Sequence, residues 1–158
     1  MANTQSMATS FLGELMTATH NFGASPIRAA ATADTFKAAL FLASATINAA
    51  TTAYSTTGEV SGTGYTAGGV TVTNATPPTA TNASATAGVA YWTPSASFVY
   101  TSVTLSTAFD AVLVYNSTQS DKAVSVHTFG SQTITAGTFT LTMPSNTTTT
   151  ALLRLATT

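Results

Sequence analysis

The sequence predicts a mainly β protein: an antiparallel β-sandwich or jelly-roll-like barrel with a short N-terminal helix. Two observations predict the strands. From residue 70 onward apolar residues recur with a period of two, and the runs are short, β-branched and aromatic, with turn residues between them at fairly regular spacing. A third observation predicts the helix, because Phe11, Leu12, Leu15, Met16 and Thr19 fall at helical spacing.

That helix is expected over residues 11–21, with Ser10 as its N-cap and Gly23 as a stop before Pro26. Its apolar face, Phe11, Leu12, Leu15 and Met16, either closes one end of the domain or grips a neighbour, which makes these four residues the interface candidates. Residues 1–33 are read as an N-terminal arm and residues 34–158 as a single β-domain. Residues 35–43 (TFKAALFLA) alternate imperfectly, and their alanines lean towards helix. Residues 58–69 and 73–88 read as loops, the second because Pro77-Pro78 and its small polar residues forbid a central strand. The expected strands are 70–73, 89–93, 98–105, 109–115, 123–129, 132–134, 139–143 and 151–155. Pro94-Ser95, Asn116-Ser117, Gly130, Gly137 and Pro144-Ser145-Asn146 are the breaks between them. Residues 109–115 (FDAVLVY) carry apolar side chains on both faces and read as a central strand, with Asp110 near its rim.

The charge content excludes several function classes. Of 158 residues, 44% are hydrophobic, which argues against disorder, but only 6% are charged and the net charge is -1. Typical domains carry about 25% charged residues. A neutral surface of Thr, Ser, Asn, Gly and Ala suits permanent packing against neighbours, because buried interfaces avoid charges that need pairing. Arg28, Lys37, Lys122 and Arg154 are scattered and form no basic stripe for nucleic acid. Without cysteine there is no disulfide framework, thiol nucleophile or thiolate metal site. The first residues lack the features of a secretory signal. The longest apolar run, residues 38–45, is far shorter than the roughly 20 residues of a membrane span, so a soluble chain without membrane contact is expected.

Few motifs suggest chemistry. Gly62, Gly64, Tyr65, Gly68 and Gly69 form a Gly-rich stretch without the Lys-Ser/Thr of a phosphate-binding loop. It reads as a structural turn that feeds Val70 into the sheet, with Tyr65 as an anchor. Ser125, His127 and Asp110 can be assembled into a triad only on paper, since hydroxyl residues are everywhere in this chain. The acidic residues form neither a carboxylate pair nor a calcium loop. Trp92, Tyr91 and Tyr100 could stack a sugar, although a lone Trp in an alternating strand is more often core. The sequons at Asn74, Asn82, Asn116 and Asn146 are explained by the abundance of Thr. The expectation is a protein that is not an enzyme, with no catalytic residues, no metal site and no cofactor.

The order of several motifs resembles a family of tailed-bacteriophage virion proteins. The matching residues are Phe11-Leu12-Gly13-Glu14-Leu15 and His20-Asn21-Phe22-Gly23, then Asp34-Thr35-Phe36-Lys37-Ala38-Ala39-Leu40. Glu59-Val60 and the stretch Gly62-Thr63-Gly64-Tyr65-Thr66-Ala67-Gly68-Gly69 follow. Phe109-Asp110-Ala111, Leu113-Val114-Tyr115-Asn116 and Leu152-Leu153-Arg154-Leu155-Ala156 complete the set, and residues 29–33 (AAATA) look like an insertion. The resemblance implies a virion component made in the bacterial host cytoplasm: a capsid decoration or cement protein, or a tail, baseplate or head-to-tail part. It implies the major capsid protein or other virion proteins as partners, with self-association into a homo-oligomer. A carbohydrate-binding module on the virion surface is the remaining alternative.

Overall fold

The computed structural model describes residues 3–8, 11, 15, 19–20, 22, 33–73, 78–81 and 88–156. It is mainly β, with antiparallel sheets. The helix expected over residues 11–21, and with it Leu12 and Met16, falls largely outside the described residues. The chain gathers into two compact units. The first comprises Met1–His20, Asp34–Val72 and Val99–Thr140, and the second Asn21–Ala33, Thr73–Phe98 and Leu141–Thr158. Residues 34–158, expected as one β-domain, are thus divided between them.

The first unit holds a five-stranded sheet. Its strands are β1 (Ser6–Met7), β2 (Phe36–Leu42), β3 (Val70–Thr71), β6 (Phe98–Asn116) and β7 (Lys122–Leu141), in the order β1-β7-β6-β2-β3. Strand β2 settles the ambiguity of residues 35–43 in favour of strand. Phe36, Ala38, Ala39, Leu40 and Phe41 are all at most 1% exposed. A strand covered on both faces reads as a continuous apolar run, so its alternation is invisible in the sequence. It pairs with β6 from Phe36↔Asn116 to Leu42↔Phe109, with a register shift after Phe41. Phe109, Val112, Leu113 and Val114 are fully buried opposite it. Each such side chain contributes roughly 1.5–3 kcal/mol through removal from water.

Strands β6 and β7 are far longer than the sequence pattern suggested. Gly130 and Gly137, expected as breaks, lie within extended β7, and residues 106–108 continue β6 without a turn. The irregularities lie elsewhere: Ser102 and Ala136 have φ of 54° and 46°, and Thr104 Oγ1 accepts the Ala136 N–H at 3.1 Å. The turn between the two strands uses Ser120 and Asp121 at φ 54° and 57°. Successive left-handed residues match the twist that a tight hairpin needs. Aromatic rings cluster on the hairpin: Phe109, Phe129 and Phe139 have centroids 5.1–5.9 Å apart.

The second unit holds β4 (Thr79–Ala80), β5 (Val89–Trp92) and β8 (Leu153–Ala156) in the order β4-β5-β8. Trp92, 2% exposed, packs edge-on against Phe22 at 4.8 Å. Side-chain hydroxyls tie its loops: Thr93 Oγ1 accepts the Leu152 N–H at 2.9 Å, and Ser97 Oγ accepts the Met143 N–H at 3.3 Å.

Candidate functional site

A dense polar arrangement surrounds Glu59, in the first unit. Beyond the two residues of β3, the outer edge of β2 is met by the Gly-rich loop instead of a strand. Leu42 N–H donates to Gly58 O at 2.9 Å, and Val60 N–H donates to Leu40 O at 3.0 Å. Glu59 bridges to Phe41 in this region and is 9% exposed. Its carboxylate accepts from Tyr54 Oη at 2.6 Å, from Tyr65 Oη at 2.7 Å and from the Gly68 N–H at 2.7 Å. A buried carboxylate needs such donors, since stripping its hydration without them costs several kcal/mol.

Two further tyrosines complete a cage. Tyr100 Oη donates to Ala38 O at 2.8 Å and its ring stacks on Tyr65. Tyr115 Oη donates to Gly68 O at 2.9 Å and its ring stacks on Tyr54 at 4.5 Å. Burial, and then the hydrogen bond to Glu59, pushes the Tyr54 and Tyr65 phenols well above the ordinary tyrosine value. Burial and the Glu59 charge do the same to Tyr100. Burial, followed by the charges of Asp121 and Glu59, pushes Tyr115 up to about 12. All four phenols therefore stay protonated as fixed donors. They can hold an anion in place, and they make poor bases.

Tyr65 accepts as well as donates: the Leu40 N–H reaches its oxygen at 3.0 Å. One phenol thus replaces the strand that β2 lacks at this point. Gly69 explains the tightness of the turn, because a Cβ there would collide with Ala38 O and its φ is 72°. Gly64, at φ 77°, lies against the Ser102 carbonyl in the same way, and Gly62 against Thr104 O. The Gly-rich stretch thus lies flat on backbone, with no phosphate cradle in evidence. A cleft of about 140 Å³ beside Tyr65 and Tyr100 is too small for a drug-sized ligand, which needs roughly 300–1,000 Å³. A second cleft, of about 220 Å³ between Ile47, Ala53 and Leu113, falls short as well.

A second polar cluster fixes the hairpin turn. Asn116, fully buried, reaches His20 Nδ1 at 3.0 Å and Asp34 Oδ2 at 2.9 Å through Nδ2. Its Oδ1 accepts the N–H groups of Thr118 and Gln119, and Gln119 Nε2 donates to Asp34 Oδ1. With every amide atom engaged in the interior, this sequon is no glycan acceptor.

The remaining sequence candidates separate. Ser125 Oγ and His127 Nε2 lie 2.8 Å apart, but Asp110 instead accepts from Asn3 Nδ2 at 2.5 Å. Burial pushes His127 down to about 4, and Ser125 is only 2% exposed, so this pair presents no accessible nucleophile. Phe11 is 2% exposed and packs on His20 at 4.9 Å, within its own unit, whereas Leu15 is half-buried. Phe11 is therefore unavailable to grip a neighbour. Trp92 and Tyr100, at 2% and 3% exposed, offer no ring face to a sugar. Among the described residues, no three His, Cys, Asp or Glu side chains group closely enough to hold a metal ion. Among them also, no helix is long and apolar enough to cross a membrane.

Glu59 escaped the sequence reading. The spacing of Tyr54, Glu59 and Tyr65 was a faint local signal, but Tyr100 and Tyr115 join only through folding. Comparison with known proteins adds no relative: no family model, no curated protein and no solved structure matches the chain.

Proposed function

We propose that this chain is a structural component of a bacteriophage particle, a decoration or cement protein that binds the capsid shell in many copies. The observation that supports this reading concerns charge. Three of the five acidic residues, Asp34, Glu59 and Asp110, are committed to internal hydrogen bonds. The outward surface is thus poorer in charge than a composition of 6% already implies. Such a surface is ill suited to a free monomer, which relies on interspersed charge for solubility. It suits a protein packed permanently among neighbours, where each unpaired charge would carry a desolvation cost.

On this reading the antiparallel strands form a sandwich, and the tyrosine cage around Glu59 holds the Gly-rich loop on the five-stranded sheet. Binding comes from shape, hydroxyl groups and repetition across equivalent sites, with many weak contacts combined by avidity. The partners are the major capsid protein and further copies of the chain.

Quantitative mass spectrometry of purified particles, from a lysate of a phage carrying this gene, tests the proposal. Hundreds of copies per particle are expected. A dozen or fewer would move the chain to a tail, baseplate or head-to-tail position, and absence from particles would overturn the virion reading.

A further inference from the structure

Strand β7 has two unlike halves. At its start, Ala123, Val124, Ser125 and Val126 are buried, and β1 covers the outer edge through Ser6↔Val126 and Met7↔Ser125. From Gly130 onward, Gly130, Ser131, Gln132, Thr133, Thr135, Ala136, Thr138 and Thr140 are exposed. Strand β6 pairs with β7 on one side, and among the described residues no strand pairs with residues 127–141 on the other. Backbone N–H and C=O groups along such an edge are a template for another strand.

Folded proteins usually protect long edges with lysine, proline or an inward charge. None of these is present here: no charged residue occurs between Lys122 and Arg154, no proline stands between Lys122 and Pro144, and the one backbone irregularity in residues 130–141 is Ala136 at φ 46°. We infer that the outer edge of β7, residues 130–141, pairs antiparallel with the same edge of a second copy of the chain, joining two sheets about a two-fold axis.

The identity of the occupant follows from complementarity. An antiparallel edge is its own partner under two-fold rotation, because each residue's donor and acceptor meet those of its symmetry mate. A neutral edge gives a charged partner strand nothing to pair with, whereas two neutral copies meet without repulsion. Thr133 and Thr135, and likewise Thr138 and Thr140, occur at spacing two, so each pair shares a face. Facing threonines form favourable cross-strand pairs. The inference deepens the assembly reading by specifying the first contact, from chain to chain, but its test uses the isolated chain.

Light scattering on the purified full chain should give twice the 16.0 kDa mass. The double variant Thr133→Lys with Thr135→Lys, folded by circular dichroism, should return to the single-chain mass. So should Thr133→Glu with Thr135→Glu, and mixing the two variants should restore the dimer. Because the chain has no cysteine, single introduced cysteines provide a readout that does not depend on those variants folding. In a scan of positions 132, 133, 135 and 138, at least one should cross-link into dimers under mild oxidation, and Thr101→Cys, exposed on β6, should not. A wild-type chain of single mass at its highest soluble concentration would overturn the inference. So would a folded lysine variant that remains dimeric, or equal cross-linking at the edge and at position 101. Particles lacking the chain would count against the virion role alone, and a monomeric chain against this contact alone.

Discussion

The two sides of the five-stranded sheet face the same problem and resolve it differently. On the β2 side the pairing strand β3 has only two residues, and the Gly-rich loop takes over with backbone bonds from Gly58 and Val60 and the phenol of Tyr65. On the β7 side β1 also has only two residues, but beyond Ser6↔Val126 no strand among the described residues continues the cover along residues 130–141. One edge is sealed by a polar arrangement anchored on a buried carboxylate. The other is left uncharged and exposed. Short pairing strands alone therefore do not decide whether a sheet edge is closed. The decision lies with the segment that precedes them in the chain.

The largest effect should come from breaking the sealed edge. Glu59→Ala leaves two half-buried phenols and the buried Gly68 N–H without their acceptor. A loss of about 3 kcal/mol is expected in denaturant unfolding, since three neutral donors, one of them fully buried, lose a charged acceptor. A loss below about 1 kcal/mol would mean that the loop does not depend on this anchor.

His127, just past the covered start of β7, is probed by pH. His127 titrates near 4 in the folded chain, below its ordinary 6.5, because burial penalises the charged form. The unfolded chain therefore takes up the proton first as pH falls. Stability from this group is fully present above about 6.5, declines between 6.5 and 4 and levels off below, by up to about 3 kcal/mol in total. His127→Gln should flatten the profile in that window. An unchanged slope would assign the dependence to other groups.

The smallest effect belongs to the open half. Ala136 holds φ 46°, a region that disfavours a Cβ. Ala136→Gly should stabilise the chain by about 0.5–1 kcal/mol, relief of strain outweighing the added freedom of the unfolded state. Destabilisation in thermal unfolding would show that the Ala136 methyl group contributes packing that outweighs its strain.

Much of the antiparallel sheet was legible, because residues 98–105, 109–115 and 123–129 alternate plainly. What was not legible has physical causes. Gly130 and Gly137 look like turn residues in any sequence, yet here they keep extended backbone, and the left-handed positions fall on Ser102 and Ala136. Strand β2 hid its period because both faces are covered. The polar cage was unreadable for another reason: a single glutamate carries no pattern, and half of its tyrosines come from β6. Tyr65 could be singled out as an anchor, but its partners Leu40 and Glu59 could not.

The sealed edge also bears on the order of events as the chain emerges from the ribosome. Strand β2 is apolar, and its main partner β6 is made much later; the bond from Tyr100 to Ala38 spans 62 residues. The bond from Leu40 to Tyr65 spans only 25. Local contacts form ahead of distant ones because closing a short loop costs less entropy. The Gly-rich loop can therefore shield one flank of β2 during synthesis, holding an aggregation-prone segment in reserve until the long hairpin arrives.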